Sequence, residues 1–167
     1  MSDKVVRSLK KLFKKIEDTL DETIKREQMI SLGNFTANLI RKRTRLGYGV
    51  DRQFGVKQKL KPLSPRYVSA RKKFKDLSNA TTPKKSNLTL TGQMLDSVKI
   101  IKAENGSIKI GPTGNRTDNS FSNLQIALFN QNKGRTFNRV SQLEGQQVLR
   151  EFRRSFGDLL KKRKLIT

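Results

Sequence analysis

Few side chains in this 167-residue chain could carry catalysis. It has no histidine and no cysteine, so Ser-His-Asp triads, Cys-His pairs and the usual zinc sites cannot be built. A metal-dependent nuclease would need clustered carboxylates, but those beyond the first helical pattern are scattered: Asp51, Asp76, Asp96, Glu104, Asp118, Glu144, Glu151 and Asp158. No P-loop and no G-x-G-x-x-G fingerprint occurs. We therefore expect no enzyme, no cofactor and no metal site.

Positive charge is the strongest feature of the composition. Lysine and arginine total 37 against 14 acidic residues, a formal net charge of +23. Self-repulsion on this scale favours an anionic partner, most commonly nucleic acid and otherwise an acidic protein or a membrane surface. The cations that we expect to face DNA or a partner form three clusters, namely Arg41, Lys42, Arg43 and Arg45; Arg71, Lys72 and Lys73; and Lys161, Lys162, Arg163 and Lys164.

Such clusters bind phosphates with little sequence selectivity. Reading of bases would need a recognition helix or aromatic platforms, and Tyr48, Phe54 and Tyr67 lie among basic residues, where each could equally anchor a loop or the core. No RNP sequence or zinc finger is present. A free-standing protein that binds nucleic acid without sequence specificity is one hypothesis.

A long amphipathic helix is predicted over residues 4–45. Steps of three and four separate its apolar residues, which are Val5, Leu9, Phe13, Ile16, Leu20, Ile24, Leu32, Phe35, Leu39 and Ile40. We expect this stripe to face the core rather than a coiled-coil partner. The helix could bend near Gly33, or two helices could lie end to end there.

An extended basic loop or loose hairpin is predicted over residues 46–63, where glycines separate isolated apolar residues. Ser64 and Pro65 suit the cap and first position of a short helix. After a polar linker, Leu88 to Val98 is almost free of charge. We expect Thr91 and Gly92 to begin a short helix there whose Met94, Leu95 and Val98 are buried, since an unpaired buried charge is costly.

The last third of the chain alternates strand and helix patterns. Asn105-Gly106 predicts a β-hairpin, with Ile108 and Ile110 on its buried face. A helix over 122–130 should turn Leu124, Ala127 and Leu128 inward, and residues 136–140 could form a third strand. Ser141 and Glu144 match a capping box for a C-terminal amphipathic helix that ends in a basic tail. Together these elements predict a single α+β domain, 1–167, with a small antiparallel sheet.

No membrane association is expected. No apolar run approaches the ~18 residues that a spanning helix needs, and the first residues lack the apolar core of a secretory signal. We therefore expect the protein in a cytoplasm.

Four segments, taken in order, resemble the phage virion morphogenesis family, the tail-completion or neck proteins of tailed bacteriophages. They are KPLSPRYVSARKK at 61–73, LTLTGQMLDSVKI at 88–100, IALFNQNKG at 126–134 and RTFNRVS at 135–141. The matching positions are Leu63, Ser64, Tyr67, Leu90, Thr91, Gly92, Leu95, Gln131, Gly134, Arg135 and Phe137. Where the family often has His and Pro, this chain has Asn130 and Thr136.

The resemblance implies a structural virion protein that completes the head–tail junction after assembly in the host cytoplasm. Several copies would form a ring bound to a portal-side adaptor and to the tail tube or tail terminator, with positive charge toward packaged DNA or acidic neighbours. A ring requires a head-to-tail interface. The loop at 46–61 and the lysine-rich termini are the candidate interlocking arms.

Overall fold

The computed structural model describes residues 22–73, 84, 86, 88, 92–104, 107–117 and 120–162. Within them lie nine elements: α1 (Glu22–Arg45), β1 (Tyr48–Val50), β2 (Lys57–Lys59), α2 (Pro65–Lys73), α3 (Gln93–Asp96), β3 (Val98–Glu104), β4 (Ser107–Pro112), α4 (Asn123–Asn132) and α5 (Gln142–Lys162). Strands β1 and β2 pair antiparallel, and so do β3 and β4. The predicted α+β class, with a long N-terminal helix, antiparallel hairpins and a C-terminal helix, is confirmed. The helical pattern before residue 22 lies outside the described residues.

Helix α1 runs without interruption through Gly33, so the alternative of two helices end to end is wrong. Gly33 instead allows the β3–β4 hairpin to pack closely against the helix. A Cβ at Gly33 would lie 2.6 Å from Ile100 Cδ1, because the β3–β4 hairpin crosses the helix there. The side chains that α1 buries recur every three or four residues, as one helix face requires: Met29, Leu32, Thr36, Ala37, Ile40, Arg43 and Thr44.

The predicted loop at 46–63 contains a short hairpin that is tied to the body of the protein. The Val50 N–H donates to the Thr136 carbonyl over 2.8 Å, and the Gln142 N–H donates to the Gly55 carbonyl over 3.0 Å. Gly49 permits this approach, because a Cβ there would overlap the Thr136 carbonyl oxygen. The hairpin is therefore docked through β1 and its turn, while β2 is exposed, and it does not extend as a free arm.

The second hairpin follows the predicted pattern. The register pairs Glu104 with Ser107 and Val98 with Pro112, with a bulge at Ile101. The turn residues 105–106 lie outside the described residues. Ile108 and Ile110 are half-buried and alternate with exposed neighbours, as a strand with one covered face requires.

Helix α3 and the strand after it supply much of the core. Met94, Leu95 and Val98 are almost fully buried, as predicted, in one cluster with Ala37, Ile40, Ala127 and Phe137. Gly92 precedes the helix with φ +77°, a conformation that glycine adopts without strain. Thr91, which we expected to share this role, lies outside the described residues.

Helix α4 is present, but its predicted orientation is wrong at two of three positions. Ala127 is buried, whereas Leu124 and Leu128 are 50% and 47% exposed. The residues turned inward are Asn123 and Ala127, with Ile126 half-buried against the core. Ser122 and Gln125 form a capping box at its start, and the chain leaves the helix through Gly134 at φ +77°.

Residues 136–140 do not form the expected third strand. The Thr136 carbonyl meets Val50 in a single backbone hydrogen bond, and the segment is held by burial of Phe137, whose side chain is fully enclosed. The capping box that follows is confirmed: Glu144 Oε2 accepts from the Ser141 N–H over 2.8 Å, and Ser141 Oγ accepts from the Glu144 N–H over 3.3 Å. Helix α5 then packs Phe152 against Leu32.

Candidate functional site

The predicted basic cluster at the end of α1 divides into an inward and an outward part. Arg43 points inward, is 5% exposed, and donates to the Glu144 carboxylate and to the Phe137 carbonyl. Burial lowers the pKa of Arg43, an effect that the adjacent Glu144 opposes. Arg43 therefore joins α1 to the start of α5 and does not face a partner.

Arg71 also departs from its predicted surface role. It is 4% exposed on α2, and burial lowers its pKa, an effect that Tyr67 partly offsets. Its neighbours Lys72 and Lys73 are exposed. Lys161 and Lys162 are exposed at the end of α5, while Arg163 and Lys164 lie outside the described residues.

The outward part of the cluster lines an open cavity of about 430 Å³. Its walls are Asn38, Arg41, Lys42, Arg45 and Leu46. Arg41 Nη2 donates to Asn38 Oδ1 over 2.8 Å, whereas Arg41 Nε is buried with no hydrogen-bond partner among the described residues. Arg45 forms an ion pair with Asp96 at the surface. The side chains of Arg41 and Lys42 thus line the cavity with donors, and Asn38 orients one of them.

Leu46 also lines a second cavity, of about 290 Å³. Tyr48, Lys59 and Lys84 are among its lining residues, and Lys57 Nζ lies 4.1 Å from the Tyr48 ring centroid. We call the two cavities together the cationic groove, defined by Arg41, Lys42, Arg45, Tyr48, Lys59 and Lys84. Local clustering in the sequence could not reveal Lys59 or Lys84, because the hairpin register and the return of the chain bring them to Tyr48.

Side chains and carbonyls from the four resembling segments meet in the structure. Arg135 donates to the carbonyls of Lys61 and Pro62 over 3.3 and 3.1 Å, which links the last segment to the first. Leu95, Ala127 and Phe137, from the second, third and last segments, share one core cluster. Ser64 Oγ accepts from the Tyr67 N–H over 3.3 Å, as its predicted cap role requires.

The remaining motif positions serve turns or lie apart from these contacts. The Gln131 carbonyl accepts from the Gly134 N–H over 3.0 Å and from Arg52 Nη2 over 3.0 Å, so it fixes the turn after α4 and the tip of the first hairpin together. Leu63 is half-buried and Tyr67 is 42% exposed. Leu90 lies outside the described residues.

An apolar surface covers the outer side of α4 and Phe121, which lies two residues before the helix begins. We call it the α4 face, defined by Phe121, Leu124, Leu128 and Phe129, each 44–50% exposed. The rings of Phe121 and Phe129 meet edge to face with centroids 5.5 Å apart. No residue of α4 carries a charge, in a chain of which 31% is charged. Large contiguous apolar patches on soluble proteins are typical of interaction sites, which makes the α4 face a candidate for one.

Neither a metal-ligand cluster nor a membrane-spanning helix is found in the part of the chain that the structure describes. Its acidic side chains do not gather in groups of three, and its helices are too short or too polar to cross a bilayer. The absence of an enzymatic activity stays a prediction. Comparison of the chain with protein-family models, with curated protein sequences and with solved structures finds no match.

Proposed function

We propose that this chain is a structural virion protein of a tailed bacteriophage, a tail-completion or neck protein that forms a ring at the head–tail junction. The observation that carries the proposal is the meeting of the resembling segments. Each motif is short, but Arg135 joins the segment at 135–141 to that at 61–73, and Leu95 and Phe137 pack in one core. Resembling segments that contact each other in one structural unit support a fold shared with the phage virion morphogenesis family more strongly than separate short sequence matches do.

The ring interface that we propose differs from the loop first expected as an arm, while the lysine-rich termini, the other candidate arms, lie largely outside the described residues. The hairpin within residues 46–61 is hydrogen-bonded to residues 136 and 142 of its own chain, which leaves it poorly suited to reach a neighbour. The α4 face is exposed, apolar and without charge. Copies of a chain with a net charge of +23 repel each other. This repulsion is weakest where the contacting surface carries no cation, as on the α4 face. A second copy is therefore the proposed occupant of the α4 face.

The other partners follow from the same proposal. A ring at the junction would contact a portal-side adaptor on one side and a tail tube or tail terminator on the other, with the positive charge facing DNA or acidic neighbours. Electrostatic attraction would speed each of these encounters. The lysines at the ends of α2 and α5 are exposed for such contacts.

The second candidate function is free-standing, sequence-independent nucleic-acid binding. The cationic groove favours it, because a cation-lined groove with an aromatic side chain suits a nucleic-acid backbone. The two functions predict different contents of a purified particle. A neck protein is present at a fixed copy number, whereas a free nucleic-acid-binding protein is not.

Deletion of the gene from the phage that encodes it tests the proposal. We expect DNA-filled heads and separate tails in the lysate by electron microscopy, with joined particles restored by the gene supplied in trans. Tails that join normally in the deletion strain would contradict the proposal. Heads that fail to fill would point to an earlier role with DNA.

A further inference from the structure

We propose that the cationic groove binds the phosphodiester backbone of nucleic acid, with Arg41 and Lys42 as its principal phosphate contacts. The inference deepens the proposed function and rests on it for the identity of the natural ligand, the DNA of the particle. Binding itself is a property of the isolated chain, so it can be measured apart from any role in a virion.

Arg41 is arranged to receive an oxyanion. A guanidinium has five N–H donors in a planar fork. One of those of Arg41 is committed to Asn38 over 2.8 Å, which fixes the orientation of the plane, while Nε is buried and without a partner among the described residues. Nε is enclosed, so an oxyanion in the cavity would accept from the terminal Nη donors, whose plane the Asn38 hydrogen bond orients.

The length of the groove favours a backbone over a single small anion. Leu46 lines both of its cavities, and each carries cations, with Arg41, Lys42 and Arg45 in one and Lys59 and Lys84 in the other. The charge of Arg45 is compensated by its ion pair with Asp96. Arg41 and Lys42 are therefore the side chains of the first cavity that we expect to bind phosphate. Cations spaced along a groove suit consecutive phosphates, each of which releases counterions on binding.

The composition of the groove also favours phosphate over an acidic protein segment. Lysine is depleted in protein–protein interfaces, whose centres are apolar and aromatic. Three of the five cations of the groove are lysines, Lys42, Lys59 and Lys84.

The test is fluorescence anisotropy over a range of salt concentrations with a labelled DNA duplex, the matching single strand, and poly-glutamate of similar charge. Arg41→Gln with Lys42→Gln is compared with Arg150→Gln with Arg153→Gln, which removes the same charge from exposed positions on α5. Circular dichroism and a melting curve establish that both variants are folded before binding is measured.

We expect the groove variant to bind nucleic acid roughly 10- to 100-fold more weakly at 0.1 M salt, with a salt slope smaller by about 0.9 for each phosphate that the variant no longer neutralises. The α5 variant should lose less than a few-fold. Comparison of duplex with single strand identifies which form the groove accepts. Equal losses in the two variants, or tighter binding of poly-glutamate than of either DNA, would overturn the inference. A positive result beside normal head–tail joining in the deletion strain would retain the groove and reject the neck role.

Discussion

Arg43 and Arg45 lie two residues apart on α1 and have opposite surroundings. Arg43 is enclosed, with its carboxylate partner Glu144 also buried. Arg45 pairs with Asp96 at the surface, where both side chains are about half exposed, 48% and 46%. The Arg43–Glu144 ion pair therefore links α1 to α5 inside the protein, whereas the Arg45–Asp96 ion pair lies at the surface beside the cationic groove.

Removal of one partner should have very different effects in these two pairs. A buried ion pair that loses one member leaves an uncompensated charge and costs about 3–5 kcal/mol. An exposed pair contributes about 0–1 kcal/mol. We expect Arg43→Met to lower the free energy of unfolding by about 3–5 kcal/mol. Arg45→Met should lower it by about 0–1 kcal/mol. Urea denaturation measures both.

Equal, small losses in the two variants would show that Arg43 is not the buried link described. Glu144→Gln is a second probe of the same pair. It leaves Arg43 without its counterion while a glutamine can still complete the capping box with Ser141, so the destabilisation it causes, about 3–5 kcal/mol, reports on the buried charge alone.

Residue-scale expectations succeeded where a local rule decides the structure. The capping box at Ser141 and Glu144 needs only two residues three apart. The burial of Arg43 follows instead from a segment ninety-four residues away, the Phe137 carbonyl, and from Glu144. Position 43 continues the spacing of the buried face of α1, three residues after Ile40, but the sequence does not show the distant carboxylate that lets an arginine be buried there.

At the scale of elements, periodicity located helices and strands but did not always orient them. Helix α4 has apolar side chains around most of its circumference, so the pattern alone does not say which side faces the core. The structure buries the side with Ala127 and Asn123, whose Nδ2 donates to the Thr113 carbonyl over 2.9 Å, and exposes the side with the two leucines. Tertiary packing made that choice.

The α4 face gives an element-scale prediction. We expect the wild-type protein to self-associate at high concentration and moderate salt, and Leu124→Ser with Leu128→Ser to shift it toward monomer by roughly tenfold or more in the association constant, because the surface removed is exposed and apolar. Sedimentation velocity measures the shift. The melting temperature should change little, since neither side chain is buried.

A matched control is Leu143→Ser, which removes another exposed leucine, 67% exposed, from α5. It should leave self-association unchanged if the α4 face is the interface. A wild-type protein that stays monomeric throughout, or equal effects from the two variants, would remove the α4 face from the proposed ring.

For the molecule as a whole, composition and pattern were enough to predict an α+β protein with a basic surface. The long helix, the hairpins and the C-terminal helix follow from periodicity and turn residues. The groove could not be foreseen, since Lys59 and Lys84 reach Tyr48 only after the chain has folded. Sequence patterns also do not predict the proposed ring, because its formation depends on which surfaces contact other chains.

The central claim is that this chain is a built-in part of a virion neck. Quantitative mass spectrometry of purified, DNA-filled particles, after a high-salt wash and nuclease treatment, tests it most directly. The salt wash removes proteins held to DNA by charge alone, whose affinity falls steeply with salt. We predict a fixed stoichiometry of a few to roughly a dozen copies per particle, as a closed cyclic ring requires. Absence of the chain from washed particles, or a copy number that falls with the salt of the wash, would contradict the claim.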